Sequence, residues 1–125
     1  MSPNLREIAR LKDVLDAAFQ AKQARLARVG RRIEAVERKL AGLQRNGETE
    51  SLTDLSPAVL EEVDMRWRAW VEQRRRSLNV ELARLLSERE ACRADLAVAF
   101  GKLQAVEGMR ARLKEAAHRK ARRLP

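Results

Sequence analysis

Apolar residues recur in steps of three and four along the first third of the chain. The run passes through Leu5, Ile8, Leu15, Phe19, Leu26, Val29, Ile33, Val36, Leu40 and Leu43, with Lys12 and Lys22 at two positions of the same pattern. Lysine can lay its methylene stem along an apolar stripe, so these two residues do not interrupt it. Such spacing over many heptads is typical of a coiled-coil helix.

Two Ser-Pro pairs predict where helices begin. Ser2-Pro3 and Ser56-Pro57 each combine a serine, whose hydroxyl can cap an orphan N–H, with a proline that fits the first helical turn. No proline follows Pro57 until the last residue of the chain. We therefore predict helices over residues 3–45 and 57–122.

The segment between these helices has the composition of a loop. Asn46-Gly47 is a good left-handed C-cap pair, and residues 46–56 contain three acidic residues and no basic one. Two long helices joined by such a loop fold back on each other. The predicted fold class is all-α. It is a single antiparallel coiled-coil domain over residues 1–125, a two-helix hairpin whose second helix is longer than the first.

The apolar seam of the second helix changes its spacing part-way. It begins with Leu60, Val63, Trp67 and Trp70, and it then passes through Arg74, Leu78, Leu82 and Leu85. It continues as Arg89, Cys92, Leu96, Ala99, Leu103, Val106, Arg110, Leu113 and Ala117. Successive steps of four near the change of spacing predict a local unwinding of the supercoil.

Folding the hairpin about the middle of the loop predicts a register. Leu40 should lie near Val63, Ile33 near Trp70, and Leu5 near Ala97. Residues 100–125 would then project beyond the first helix as an overhang that carries six of the nine net positive charges. The overhang would expose an apolar stripe, which predicts a partner; the stripe comprises Phe100, Leu103, Val106, Met109 and Leu113.

The composition narrows the function classes. Charged residues make up 36% of the chain and aromatic residues 3%, and the net charge is +9, which allows binding to nucleic acid, an anionic membrane or an acidic protein surface. No apolar run approaches about 18 residues, so we expect no membrane insertion. The first residues lack a signal-peptide core, and the single cysteine fits a reducing compartment, so we expect a cytoplasmic protein.

Residues with catalytic potential are few. His118 lies in the basic C-terminal segment and is expected to be solvated, and Cys92 falls on a seam position where a buried thiol is ordinary packing. No histidine, cysteine and carboxylate spacing resembles a metal site. We expect neither an enzyme nor a bound cofactor or metal.

Trp67 and Trp70 are the only tryptophans, three residues apart on the predicted seam. One interpretation makes them core residues that pack against Ile33 and Val36. The other makes them a partner anchor at the tip of the hairpin.

Two further features have both an ordinary and a functional interpretation. Arg74-Arg75-Arg76, the arginine triplet, could grip phosphates, but Glu72 can pair with Arg76 one turn away. Gly101 and Gly108 lie one heptad apart, each at a cost of roughly 1 kcal/mol relative to alanine. They are either tolerated or needed where a helix loosens or another backbone approaches.

With the Leu/Arg-rich heptads of residues 5–15 and the basic stretch of residues 106–114, the chain resembles the flagellar and type III secretion ATPase stalk proteins of the FliJ/YscO type. The segment Leu5-Arg6-Glu7-Ile8-Ala9-Arg10-Leu11-Lys12-Asp13-Val14-Leu15 is similar to that family's Leu/Arg-rich opening heptads. The segment Val106-Glu107-Gly108-Met109-Arg110-Ala111-Arg112-Leu113-Lys114 is similar to its C-terminal stretch, with Gly108 where a lysine is commoner.

The resemblance implies a non-enzymatic stalk or adaptor of a type III, flagellar-type, protein export apparatus. Such a protein binds the hexameric export ATPase, couples it to the export-gate protein, and is cytoplasmic and peripheral at the inner-membrane export apparatus. The end where the N- and C-terminal helices meet enters the ATPase ring. Together with the predicted stripe, this gives the expected partner-binding residues: Leu103, Val106, Glu107, Met109, Arg110, Leu113, Lys114, Arg119, Lys120 and Arg122.

Two alternatives remain open. The charge and the arginine triplet are compatible with a basic coiled coil that binds nucleic acid, although few aromatics are present for base stacking. The unpaired stripe of the overhang is compatible with a homodimeric scaffold in which two hairpins form a four-helix bundle. The expected state is a monomer or a weak homodimer.

Overall fold

The computed structural model describes residues 4–46 and 56–124, and these form two helices without a strand. Helix α1 comprises Leu5–Asn46 and helix α2 comprises Pro57–Arg123. They pack as an antiparallel helical hairpin with the second helix longer than the first, which confirms the predicted fold class. The predicted helices agree with these bounds to within two residues. The predicted loop falls mainly on residues 47–55, which lie outside the described residues.

Helix α1 begins with a capping box, and the predicted Ser2-Pro3 start lies outside the described residues. The side-chain oxygen of Asn4 accepts a hydrogen bond from the backbone N–H of Glu7 at 2.9 Å. The Glu7 carboxylate in turn accepts one from the backbone N–H of Asn4 at 3.3 Å. Two otherwise unsatisfied donors are paired in this way, and this fixes the helix start at Leu5.

Helix α2 begins where the sequence predicts. The Ser56 hydroxyl oxygen accepts a hydrogen bond from the backbone N–H of Val59 at 3.4 Å, and Pro57 is the first helical residue. The Ser56 carbonyl accepts the first helical hydrogen bond, from Leu60, at 2.9 Å. Because proline has no N–H to satisfy at this position, its presence costs the helix nothing.

Burial follows the predicted seam in α1 and in α2 from Leu78 onward. The fully buried residues are Ile8, Val29, Ile33 and Val36 in α1, and Leu78, Leu85, Cys92, Ala99 and Val106 in α2. Those of α2 are spaced every seven residues, and Leu82, Leu96 and Leu103 between them are half-buried. Lys12 and Lys22 are also half-buried, as expected of lysines whose stems lie along the seam.

The hairpin divides into two compact units, each with one segment of either helix. Unit 1 comprises Met1–Ala27 and Glu90–Pro125, and unit 2 comprises Arg28–Arg89. Both contain buried seam residues from α1 and α2, so each has its own apolar layer.

In unit 1 the register differs from the predicted one. Lys12 Nζ lies 2.8 Å from Glu107 Oε1, and the rings of Phe19 and Phe100 are 6.1 Å apart. A step of seven residues up α1 thus corresponds to seven residues down α2. A further seven brings Leu5 level with residue 114, so the predicted approach of Leu5 to Ala97 is wrong.

The predicted overhang of residues 100–125 is therefore wrong as well. Val106 is buried, and Leu103, Met109 and Leu113 are half-buried, because α1 runs beside this part of α2. Within this segment only residues 114–124 are exposed without exception, and we call them the basic tail. The C-terminal part of α2 that extends past the start of α1 is short and polar rather than long and amphipathic.

In unit 2 the register is displaced in the same sense. Arg32 Nη1 lies 3.7 Å from Glu88 Oε2, which brings Ile33 beside the Leu85 turn rather than near Trp70. The predicted pair of Leu40 and Val63 is wrong for the same reason. Counting equal steps along both helices brings Asn46, the end of α1, level with Arg74. Residues 57–73 of α2 thus lie beyond the last helical residue of α1.

Heptad phase explains this register. The α1 seam over residues 8–43 faces a tract of nearly equal length in α2, residues 75–113, whose fully buried residues recur every seven positions. Continued toward the N-terminus, that spacing reaches the half-buried Val71 and passes by Trp67 and Trp70. Packing the two in-phase tracts buries the whole α1 seam, whereas the predicted register would pair α1 with the irregular part of α2.

Candidate partner-binding surfaces

The apolar residues of the predicted partner-binding set hold the hairpin together. Val106 is 5% exposed, and Leu103, Met109 and Leu113 are half-buried on the face of α2 that α1 covers. An apolar side chain that packs between the two helices contributes to stability by being removed from water. These four residues therefore do not form the open stripe that motivated their assignment.

Glu107 and Lys12 form an ion pair between the helices of unit 1. The Lys12 Nζ–Glu107 Oε1 distance is 2.8 Å, and both side chains keep contact with solvent. The hydrogen bond from Lys12 lowers the pKa of the Glu107 carboxyl below its ordinary value of 4.5, and the positive charges of Lys12, Arg110 and Lys114 act in the same direction. The pair gives a role to Lys12, which the sequence shows only as a polar residue in the seam.

We predict that Glu107→Gln destabilises the hairpin at neutral pH but not in acid. A carboxyl whose pKa is lowered by folding stabilises the fold above its unfolded value, here 4.5, and that contribution is lost as the pH falls through the lower folded value. Denaturant unfolding across this range measures it. Lys12→Met provides the matched background, in which Glu107→Gln should have little further effect. A pH-independent difference between wild type and variant would contradict the assignment.

The basic residues of the predicted set lie in the C-terminal part of α2, which belongs to unit 1. Lys114, Arg119, Lys120 and Arg122 are exposed in the basic tail, and Arg110 is half-buried. Arg119 Nε lies 3.9 Å from Glu115 Oε1, one turn away. Basic residues in the last turn of α2 also complement the negative end of its helix dipole.

Net charge is distributed unevenly between the two units. The segments of unit 1 contain 14 lysines and arginines and seven acidic residues, a net charge of +7. Unit 2 contains 13 basic and 11 acidic residues, which leaves +2 of the total of +9. The positive charge is thus a property of unit 1 rather than of the whole chain.

Trp67 and Trp70 lie on the surface of unit 2 and stack on each other. Their ring centroids are 5.3 Å apart with an interplanar angle of 22°, and the side chains are 37% and 53% exposed. The expectation that they pack in the core against Ile33 and Val36 is wrong, because the register places both tryptophans beyond the end of α1. The interpretation as a partner anchor stays a prediction.

Sequence reasoning placed Val63 in the seam with these tryptophans and missed Val59. Val63 and Val59 are both exposed, one and two turns before Trp67 on the same side of α2. Heptad phase could have identified them as exposed. The residue seven positions before Leu78 is Val71 and not Trp70, so the seam does not pass through the tryptophans or the valines on their side of the helix. A shallow depression of about 420 Å³ adjoins Trp67, lined also by Leu43, Val71 and Arg75.

The arginine triplet is partly neutralised within its own helix. Arg75 Nη1 lies 2.9 Å from Glu72 Oε2, and Arg76 Nε lies 3.8 Å from Glu72 Oε1. The predicted pairing of Glu72 with Arg76 is therefore confirmed. Two of the three guanidinium groups share one carboxylate, which weakens the case for a dedicated phosphate grip.

The remaining candidate residues occupy ordinary positions. Cys92 is a buried free thiol in the seam, as predicted, and His118 is exposed in the basic tail. Within residues 4–46 and 56–124, no three side chains of the types that bind metals converge. Neither described helix contains a stretch long and apolar enough to cross a membrane. Comparisons with protein-family models, curated proteins and solved structures found no match.

Proposed function

We propose that this protein is a non-enzymatic stalk or adaptor of a type III, flagellar-type, export apparatus. It binds the hexameric export ATPase through the end of unit 1, couples the ATPase to the export gate, and works on the cytoplasmic side of the inner membrane. The proposal is supported by the sequence resemblance and by a fold of two long antiparallel helices. The contact residues are now the charged ones, namely Arg110, Lys114, Arg119, Lys120 and Arg122.

The concentration of positive charge in unit 1 is the observation that carries the proposal. The start of α1 and the exposed basic tail of α2 belong to the same unit, which has a net charge of +7. A surface of one sign attracts the acidic loops of a protein ring over a distance, and it contributes to the rate and orientation of binding more than to affinity. The packing between the helices that holds this surface in place involves Leu103, Val106, Met109 and Leu113.

The experiment is an assay of ATP turnover by the hexameric export ATPase of the same organism, with and without this protein. We expect the wild-type protein to raise turnover and the effect to fall with ionic strength. The variant Arg119→Glu/Lys120→Glu/Arg122→Glu should abolish it. Because all three side chains are exposed, the variant should keep its helix content by circular dichroism.

A matched control reverses three exposed basic residues of unit 2, Arg31→Glu/Arg38→Glu/Lys39→Glu, with the same change in net charge. This variant should stimulate turnover like the wild type. Equal loss in both variants would reduce the effect to bulk charge, and no stimulation by the wild type would contradict the proposal. Binding to generic DNA that survives physiological salt would instead favour the nucleic-acid alternative.

A further inference from the structure

The first turns of α2 expose an apolar surface that this chain's own seam does not use. Val59, Val63, Trp67 and Trp70 lie on one side of the helix, and each is 37–53% exposed. We call these four residues the tryptophan face. It belongs to the part of α2 that extends past Asn46, N-terminal to the heptad tract of residues 75–113 that packs on α1.

The two ends of the tryptophan face carry opposite charges. Glu62 and Asp64 flank its N-terminal end, one on each side, and the arginine triplet lies at its C-terminal end. Most of this charge is also paired within the helix: Glu62 with Arg66, Asp64 with Arg68, and both Arg75 and Arg76 with Glu72. Arg74, beside Trp70, forms no ion pair with any other residue that the structure describes. The segment therefore has a polarity that runs from acidic to basic along α2.

We propose that the tryptophan face binds a second copy of this chain, with the two α2 segments antiparallel about a twofold axis. In this arrangement Trp67 of one copy lies beside Trp70 of the other. Glu62 and Asp64, on the two flanks of the face in each copy, then lie close to the level of Arg75 and Arg76 of its partner. A second copy has the same order of charges along its helix, so the antiparallel arrangement brings opposite charges together. The twofold axis repeats this pairing at both ends of the interface. The proposal is independent of the proposed function.

The surface next to Trp70 has a depression that could receive a side chain of the second copy. Trp70, Gln73, Arg74 and Ser77 line a depression of about 350 Å³. Their spacing of i, i+3, i+4 and i+7 is that of the four residues that form a hole in a coiled coil. When Trp67 and Trp70 of opposite copies are level, Val63 of the partner is level with Arg74 and serves as the knob.

The exposed area sets the strength of this dimer. The two indoles leave on the order of 200 Å² exposed in each copy, whereas a standard interface buries about 800 Å² per partner. The stacked tryptophans are thus the centre of an interface that the flanking charged turns must complete. We expect a weak dimer that loosens as salt screens the charges.

The first experiment measures self-association of the full chain by sedimentation equilibrium. Trp70→Ser should raise the dissociation constant at least about 30-fold, as expected for a central aromatic anchor. Val98→Ser is the matched control, because Val98 is 59% exposed in unit 1 and its replacement should leave the dissociation constant unchanged. A wild-type chain that stays monomeric up to about 1 mM overturns the proposal.

The second experiment tests the antiparallel arrangement with two charge variants, Glu62→Arg/Asp64→Arg and Arg75→Glu/Arg76→Glu. Alone, each places like charges opposite each other at both ends and should sediment as a monomer. Mixed, they restore opposite charges at both ends and should form a heterodimer. Mixing could not rescue damage within one helix. If the variants dimerise alone, or fail to associate when mixed, the antiparallel pairing is wrong.

Discussion

Replacing Val106 with aspartate is expected to destabilise the hairpin by at least about 3 kcal/mol. Val106 is 5% exposed, one heptad after the buried Ala99 and next to the Lys12–Glu107 ion pair. The substitution removes an apolar side chain from the seam and puts a carboxylate in its place. Urea unfolding followed by circular dichroism measures the loss, which should appear as a lower midpoint with little change in slope.

The control for this prediction is the same substitution at Val98. That valine lies on α2 in the same unit but is 59% exposed, so Val98→Asp should change the stability by no more than about 0.5 kcal/mol. The comparison separates burial from helix propensity, because residue type and helix are identical. If Val106→Asp were tolerated as well as Val98→Asp, residue 106 would lie in an uncovered overhang and the observed register would be wrong.

The helices and their seam could be predicted because they depend on neighbouring residues. A cap such as Ser56-Pro57 acts within one turn, and the alternation from Ile8 to Leu43 is visible without knowing what faces it. The capping box of Asn4 and Glu7 is equally local, although the sequence analysis did not recognise it. Local rules of this kind determine where a helix starts and which of its sides is apolar.

The register could not be predicted in this way because it depends on matching two distant seams. Folding about the loop assumes that both helices begin to pair at the turn, whereas Asn46 is level with Arg74. The phase of Val71 and Leu78 held the necessary information, but the larger tryptophans suggested the seam instead. Choosing the seam of α2 by side-chain size selected the wrong face of the helix, whereas strict heptad spacing would have selected the right one.

The same distinction between local and long-range information applies to the candidate partner-binding residues. Exposure of Lys120 and Arg122 could be predicted because a cluster of charges at a helix end is solvated whatever faces the helix. The accessibility of Leu103 and Val106 depends on where α1 begins, so the error in register became an error in the site. The same error hid the tryptophan face.

Replacing four helical glycines with alanine is expected to stabilise the protein by about 2–4 kcal/mol. Gly30, Gly42, Gly101 and Gly108 all lie within helices, and no described glycine has a positive φ. A Cβ added at any of the four would meet nothing within 4 Å. Each alanine reduces the entropy of the unfolded chain without a clash, and the sites are far enough apart for their effects to add.

Denaturant unfolding of the Gly30→Ala/Gly42→Ala and Gly101→Ala/Gly108→Ala pairs measures the two halves of this gain. Equal gains would mean that the glycines are tolerated rather than required for folding. A loss of stability in the second pair would contradict the open space around Gly101 and Gly108. If that pair gained stability but no longer stimulated the export ATPase, the glycines would serve close approach by a partner's backbone or a helix that must loosen. The Gly30 and Gly42 pair, with the same chemistry in unit 2, is the control for that outcome.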